Sequence, residues 1–392
     1  MNICFITGTI FNLGGVQRVL SVVASELSKQ HQITVLCTDS NFKQDNSLYN
    51  LSKDVNVEIN NNIIKPKSFR QKLICKFVKA MNNINKEILN EKILMASYYP
   101  SKSELSRLIK YLNKGDFDYV IGVEGYYSIV VALISKEIRA KVLGWEHNSY
   151  FSYFENKNKY YWGQDLLFKK YMPLLDGCIV LTNSDREKYN QILKVNNCIT
   201  IYNPLSFKSN IKTNCSNKNI LFVGRLLEEQ KGLDLLVEVF NFVVKQKDEW
   251  KLVIVGDGPD YKKLTNLISE KGIEKSVQIF PHTNKISDYY INSSILLSTS
   301  RWEGFGLVIT EAMECGLPVI AFENSGPKEI IEDGKSGVLI KYGDVKAMAE
   351  KTIDLIENKQ LRNGISKGAV ERAQNFDCKT IIEKWNQYLL SL

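Results

Sequence analysis

Short apolar runs rich in β-branched residues recur along this chain, each followed by a turn and then a longer stretch whose apolar positions repeat at helical spacing. That alternation is the pattern of parallel strands joined by crossover helices, and it predicts an α/β architecture. In the first half the predicted strands cover 2–7, 33–38, 55–59, 119–123, 141–145 and 177–181, with a helix over 16–29. In the second half they cover 219–223, 251–255, 277–280, 295–298 and 318–321. The series restarts after Tyr202-Asn203-Pro204 and the polar stretch 208–218, so the boundary between two doubly wound domains is placed there. Domains over 1–204 and 205–376 follow, and 377–392 reads as a helix with apolar Ile381, Ile382, Trp385, Tyr388 and Leu389 on one face, packing back toward the first domain.

A chain of 392 residues, 44% hydrophobic and 24% charged, can fill two such cores. It has no apolar run of the roughly 18 residues that would span a bilayer, and Met1-Asn2-Ile3-Cys4-Phe5-Ile6 lacks the charged start of a signal peptide, so a cytoplasmic location is expected. The 8 cysteines are scattered without a C-x-x-C pair and read as reduced core residues. With 3 histidines and no metal-ligand spacing, no metal and no other cofactor is expected. The net charge of +8 admits nucleic acid, anionic lipid or a phosphorylated substrate as partner, but no nucleic-acid reader motif accompanies it.

In doubly wound sheets ligands gather at the carboxyl ends of strands, and two such domains facing each other would enclose one cleft. The second half carries chemistry-bearing residues at those ends. After the strand over 219–223 come Gly224-Arg225-Leu226 and Lys231-Gly232, two cations suited to the charge that builds on a departing diphosphate. After the strand over 295–298 come Glu303, Gly304, Phe305, Gly306, Leu307 and Glu311, a glycine-flanked entry to a helix that offers free N–H groups and carboxylates. The plainer alternative has Glu303 capping the helix and Glu311 on its solvated face. In the first half Gly14-Gly15 opens a helix, where a tight turn is the simpler alternative, and His147 follows the strand over 141–145, where it is either structural or a hydrogen-bonding group.

Taken together these segments resemble family 4 of the retaining GT-B glycosyltransferases. The pattern E-x7-E stands as Glu303 and Glu311, the pattern E-A-x-x-x-G-x-P-V runs from Glu311 to Val319, and G-R-L with K-G stands at Gly224 to Gly232. Gly14-Gly15, Trp145-Glu146-His147-Asn148 and Tyr202-Asn203-Pro204 extend the likeness over nearly the whole chain. The resemblance implies a GT-B fold of two Rossmann-like domains, the first binding acceptor and the second the nucleotide sugar. It implies Arg225 and Lys231 on the donor diphosphate, Glu311 on the ribose, Glu303 and His147 on the donor sugar, and Gly14, Gly15 and the loop Gly304 to Leu307 near the phosphates. The base would lie near Pro281 and His282, where the family's F-L-G is replaced. Gly256-Asp257-Gly258-Pro259 matches a family turn near the nucleotide and by its composition reads as a structural turn. Glu146 either orients His147 or meets the acceptor.

The activity implied is retaining, metal-independent transfer of a hexose or N-acetylhexosamine from a UDP-sugar to a polyprenyl-diphosphate-linked glycan in surface polysaccharide (O-antigen, capsule) biosynthesis. Alternatives on the same scaffold are a nucleotide-sugar epimerase, a soluble glycogen- or sucrose-type synthase, or a non-catalytic sugar-nucleotide binding protein. The segment 65–79 has no acidic residue, and Phe69, Leu73 and Phe77 recur every four positions. It reads either as a basic amphipathic helix peripheral to the inner membrane face or as a surface helix whose apolar stripe is buried.

Overall fold

The structure, a computed structural model, describes residues 1–42, 44–65, 69–84, 91–156, 160–161 and 163–392. It divides into two compact units: Met1–Pro204 together with Ile381–Leu392, and Leu205–Thr380.

Unit 1 is built on a parallel seven-stranded sheet with strands β1 (Asn2–Thr7), β2 (Gln32–Cys37), β3 (Val55–Ile59), β4 (Tyr119–Val123), β5 (Lys141–Trp145), β6 (Gly177–Val180) and β7 (Cys198–Thr200), in the order β3-β2-β1-β4-β5-β6-β7. Unit 2 carries a parallel six-stranded sheet of β8 (Asn219–Val223), β9 (Lys251–Val255), β10 (Val277–Phe280), β11 (Ile295–Ser298), β12 (Val319–Phe322) and β13 (Val338–Ile340), in the order β10-β9-β8-β11-β12-β13. Helices cover both faces of such sheets, so central strands read as unbroken apolar runs: β1, β4, β6, β11 and β12 are buried almost throughout. The helix Leu233–Val244 shows the complementary pattern, burying Leu233, Leu236, Val237, Phe240 and Val243 on one stripe against its sheet.

The predicted strands are present with ends shifted by a residue or so, and the first helix runs Gly15–Leu27. Two strands, β7 and β13, were not anticipated. Each is three residues long and lies at a sheet edge, half-buried, so neither produces a recognisable apolar run.

The helix Cys378–Ser391 buries Ile381, Ile382, Trp385, Tyr388 and Leu389. In unit 1 Trp385 meets Trp145 edge-on at 4.8 Å and Phe5 at 6.1 Å, so the end of the chain completes the core beneath the carboxyl ends of β1 and β5.

Strand order reverses at one place in each sheet, between β1 and β4 in unit 1 and between β8 and β11 in unit 2. At such a switch point the connections leave in opposite directions and open a crevice outside the carboxyl ends of the strands. Residues following Thr7, Val123, Val223 and Ser298 are therefore the ones the topology places at ligand-accepting positions.

Candidate active site

In unit 2, β8 and β11 pair directly, Ile220 against Ile295 and Leu221 against Leu296, so the segments that follow them lie side by side. The first segment makes a short helical turn, Glu228–Lys231, ended by Gly232 in the left-handed region at φ 61°. The second crosses over it. Arg301 N–H donates to the Gln230 carbonyl at 2.7 Å, and the Thr299 hydroxyl donates to the Lys231 carbonyl at 3.0 Å. A Cβ on Gly232 would stand 2.3 Å from the Thr299 carbonyl oxygen, so glycine is required both by its dihedral and by the crossing.

This crossing brings Lys231 Nζ onto Glu303 Oε1, and the same oxygen accepts from the Ser300 hydroxyl at 2.7 Å. Two side chains assigned to different parts of the donor, phosphate and sugar, thus neutralise each other here. Glu303 does not cap the following helix: the helix Leu307–Glu314 begins after Gly306, at φ 112°, without a side-chain cap. Asn324 and Ser325 hold the loop from below through the Ser300 and Glu303 carbonyls, and Arg301 is tied to Asp234 at 2.6 Å. Gly326 is needed beneath it, because a Cβ there would lie 2.1 Å from the Phe305 carbonyl oxygen. Phe305 itself is buried against Phe376 at 5.7 Å, leaving backbone as what this loop can offer a ligand.

Glu311 is not on a solvated face. It is 1% exposed, and its Oε2 accepts from the Tyr290 hydroxyl at 2.9 Å, a partner that sequence patterns did not single out. Arg225 stands exposed at the end of β8, outside the Lys231–Glu303 contact. Its loop is fixed by the Gly256–Pro259 turn. Leu226 N–H donates to Asp257 O at 2.8 Å, while added Cβ atoms on Gly256 and Gly258 would strike the Gly224 and Leu226 carbonyls at 1.9 and 2.2 Å. That close backbone approach is the structural use of Gly-Asp-Gly-Pro. Pro281 and His282 are exposed after β10, with His282 N–H donating to Asp257 at 2.9 Å.

In unit 1, Gly14 lies after β1 with extended backbone, and Gly15 opens the helix. The Tyr49 hydroxyl, also missed from the sequence, accepts from Gly14 N–H at 2.9 Å and pins the loop. A Cβ on Gly14 would meet only the flexible Gln17 side chain. His147 follows β5, 7% exposed, its ring 4.3 Å from that of Trp145, with no partner for Nε2 among the described residues. Burial pushes its pKa down to about 3, which keeps the imidazole neutral, suited to hydrogen bonding and a weak proton acceptor. Glu146 turns the other way: its Oε1 accepts from the Ser128 hydroxyl at 2.6 Å, and burial raises its carboxyl to about 8. Neither that contact nor the alternation of side chains along an extended strand makes it the group that orients His147. Among the described residues no group of three or more His, Cys, Asp or Glu could hold a metal ion.

The helix Phe69–Ile84 settles the reading of the basic segment's apolar stripe, although Pro66, Lys67 and Ser68 lie outside the described residues. Phe69 is 76% and Phe77 67% exposed, Leu73 and Ile74 are about half exposed, and Val78 is buried. The stripe is not a buried one. Among the described residues no helix is long and apolar enough to cross a membrane.

Two doubly wound parallel units, with glycine-rich turns and charged side chains at the carboxyl ends of their strands, are the arrangement of the GT-B fold. Residues 206–372 match the family described as glycosyl transferases group 1. The chain is 33% identical over 298 residues to an uncharacterized glycosyltransferase of Haemophilus influenzae, covering 76% of this chain and 82% of that one. It therefore belongs to the group 1 glycosyl transferases. It is also 24% identical over 390 residues, 98% of this chain and 97% of the other, to an α-1,4-N-acetyl-D-galactosaminyltransferase of Campylobacter jejuni named for GalNAc-α-(1→4)-GalNAc-α-(1→3)-diNAcBac-PP-undecaprenol. Among solved structures, Anabaena HepE in complex with UDP is similar over the full length of both chains, with a TM-score of 0.76 at 21% identity.

Proposed function

We propose that this chain moves a hexose or N-acetylhexosamine from a UDP-sugar to a lipid-linked glycan in surface polysaccharide assembly, with retention of anomeric configuration and without a metal, at the inner face of an anionic membrane. The observation that carries this reading is the Lys231–Glu303 pair at the switch point of unit 2, beside the start of the helix Leu307–Glu314. A diphosphate arriving there offers Lys231 a stronger anion than one carboxylate, and Arg225 a partner. Lys231 then moves to the phosphate, and Glu303 is released to accept hydrogen bonds from the donor sugar's hydroxyls.

As the bond from the anomeric carbon to the phosphate oxygen breaks, the electron pair stays on that oxygen, where Arg225, Lys231 and the backbone N–H groups of Gly304 to Leu307 stabilise the growing charge. The acceptor hydroxyl attacks the same face of the sugar. Its proton passes to the departing phosphate oxygen, and UDP leaves. Neutral His147 supplies a hydrogen bond to a sugar hydroxyl. The UDP complex of HepE and the undecaprenol-linked name of the Campylobacter relative support the donor and acceptor classes. On the lipid side, exposed Phe69, Leu73 and Phe77 interleaved with Arg70, Lys72 and Lys76 support seating on an anionic bilayer.

The test is incubation of purified protein with single UDP-sugars, with and without membrane-extracted acceptor, in the presence of EDTA. Sugar transfer that needs acceptor, survives chelation and yields a product with the donor's anomeric configuration is expected. Conversion of UDP-sugar in the absence of acceptor would instead establish an epimerase, and an inverted product would end the retaining mechanism.

A further inference from the structure

In unit 1 the helix Glu124–Ile134 begins directly where β4 ends, with no loop between them, and Glu124 makes the turn at φ 70°. That left-handed region is costly for a residue that carries a Cβ. Among the described residues Glu124 is the one non-glycine residue of positive φ that joins a strand directly to a helix. Glycines on either side make so sharp a turn possible. A Cβ on Gly122 would stand 2.3 Å from the Tyr127 carbonyl oxygen, and one on Gly125 would stand 2.8 Å from the Tyr161 ring. Two hydroxyls fasten the turn from within. That of Ser128 lies 2.6 Å from Glu146 Oε1 and 3.3 and 3.2 Å from the Gly122 and Glu124 carbonyl oxygens, and that of Tyr161 accepts from Tyr126 N–H at 2.8 Å. A strained strand-to-helix turn of this kind presents one side chain at the end of the sheet.

The side chain so presented is uncompensated. Glu124 makes no hydrogen bond or ion pair to the described residues, and burial, with no cation to offset it, raises its carboxyl to about 7. Its neighbour across the sheet, beyond the paired Val123 and Trp145, is Glu146, which adds charge of the same sign. Strain and an unpaired charge in one residue are tolerated where a ligand uses them. β4 stands between β1 and β5 in the sheet, so Glu124 lies between the segments that carry Gly14-Gly15 and His147, and the buried His147 Nε2 likewise has no partner among the described residues. Two neighbouring carboxyls repel a phosphate. What they accept are neutral donors, and two adjacent sugar hydroxyls can each give one carboxylate oxygen a charge-assisted hydrogen bond. With Glu303 and His147 on the donor sugar, the remaining sugar is that of the acceptor. We propose that Glu124 is the residue of unit 1 that selects the acceptor, its two oxygens gripping hydroxyls of the acceptor's terminal sugar and so positioning the attacking one. The inference rests on the lipid-linked glycan reading and names the group that recognises that glycan.

Glu124→Gln keeps the side chain's size and removes its charge, and it is tested on the full chain with membrane-extracted acceptor and UDP-sugar. The KM for acceptor should rise at least about tenfold, the loss expected of charge-assisted hydrogen bonds, while the KM for UDP-sugar stays unchanged. Melting at pH 8 is a second readout, which a carboxylate serving only the fold would move the other way. The folded pKa of Glu124 lies above the ordinary 4.5, so its contribution to stability is lost as pH rises through about 7. At pH 8 the folded chain therefore carries an uncompensated charge that the unfolded chain solvates, and Glu124→Gln should melt higher than the parent protein. A lower melting temperature would mean that the carboxylate holds the fold together. That result, an unchanged KM for acceptor, or a rise confined to the KM for UDP-sugar overturns the acceptor role while the transfer reaction stands. A parent protein that transfers no sugar is the separate failure of the lipid-linked glycan reading, and it takes this inference with it.

Discussion

Lys231 and Glu303, 72 residues apart in the chain, are joined by an ion pair between Nζ and Oε1 with both side chains largely buried. The pairing of β8 with β11 and the backbone crossing of Thr299 and Arg301 over the Glu228–Lys231 turn hold them there. A pair so enclosed stabilises the fold chiefly because losing one member leaves the other charge poorly solvated.

Lys231→Ala should therefore fail in two separable ways. Turnover at saturating UDP-sugar should fall by roughly 100-fold, the usual effect of removing a donor aimed at developing charge. Thermal stability should also fall, and Glu303→Gln added to it should restore much of the stability and none of the turnover, measured by calorimetry and a UDP-release assay. Near-normal turnover of the single variant would remove Lys231 from the phosphate.

Gly232→Ala should destabilise unit 2 by more than the roughly 1 kcal/mol of a left-handed alanine, because its Cβ would also collide with the Thr299 carbonyl. Gly334, at φ 72° with nothing within 4 Å, is the control: Gly334→Ala should cost the dihedral alone. Equal losses in denaturant titrations of the two variants would refute the crossing as the source of the difference.

The pH dependence of stability has a defined sign at Glu146. Its folded pKa is raised from 4.5 to about 8, so between those values the unfolded chain holds fewer protons than the folded one, and stability declines as pH rises through that window. Burial raises Glu124 to about 7 and adds in the same direction. His147, lowered from 6.5 to about 3, acts oppositely, giving stability that is lost as pH falls from 6.5 toward 3. Glu146→Gln should flatten the decline between pH 5 and 8 in melting profiles; an unchanged slope would show that the buried carboxyl is not its cause.

Lys72→Glu with Lys76→Glu should weaken sedimentation onto phosphatidylserine vesicles by at least about tenfold, at roughly 1 kcal/mol for each basic residue near an anionic surface. Phe69→Ser with Phe77→Ser should do the same on vesicles of any charge. Unaltered partitioning of both double variants would discard the membrane reading of the helix Phe69–Ile84.

Much of this architecture was legible because parallel strands buried on both faces must be apolar throughout, so the central strands of both sheets announce themselves in β1 and β4 as in β11 and β12. The three-residue edge strands Cys198–Thr200 and Val338–Ile340 leave no such mark, since they pair on one side only and bury little. In the site, sequence order pointed to Lys231, Glu303 and Glu311 through turn and helix-entry patterns. It was silent on Tyr290, Tyr49 and Ser128, which act on Glu311, Gly14 and Glu146 from distant segments. A phenol or hydroxyl that finds its partner across the fold carries no local spacing by which to recognise it.

Local pattern thus determined that this chain would form doubly wound sheets, where most strands would lie, and which glycines and charges would stand at their ends. Those properties depend on residue periodicity and on dihedrals available only to glycine. Tertiary structure alone decided that Lys231 and Glu303 would face each other, that Glu311 would be buried on Tyr290 rather than solvated, and that Phe69, Leu73 and Phe77 would be left in water. Burial and pairing are properties of whatever other segments arrive beside a residue, and no window of the chain contains both.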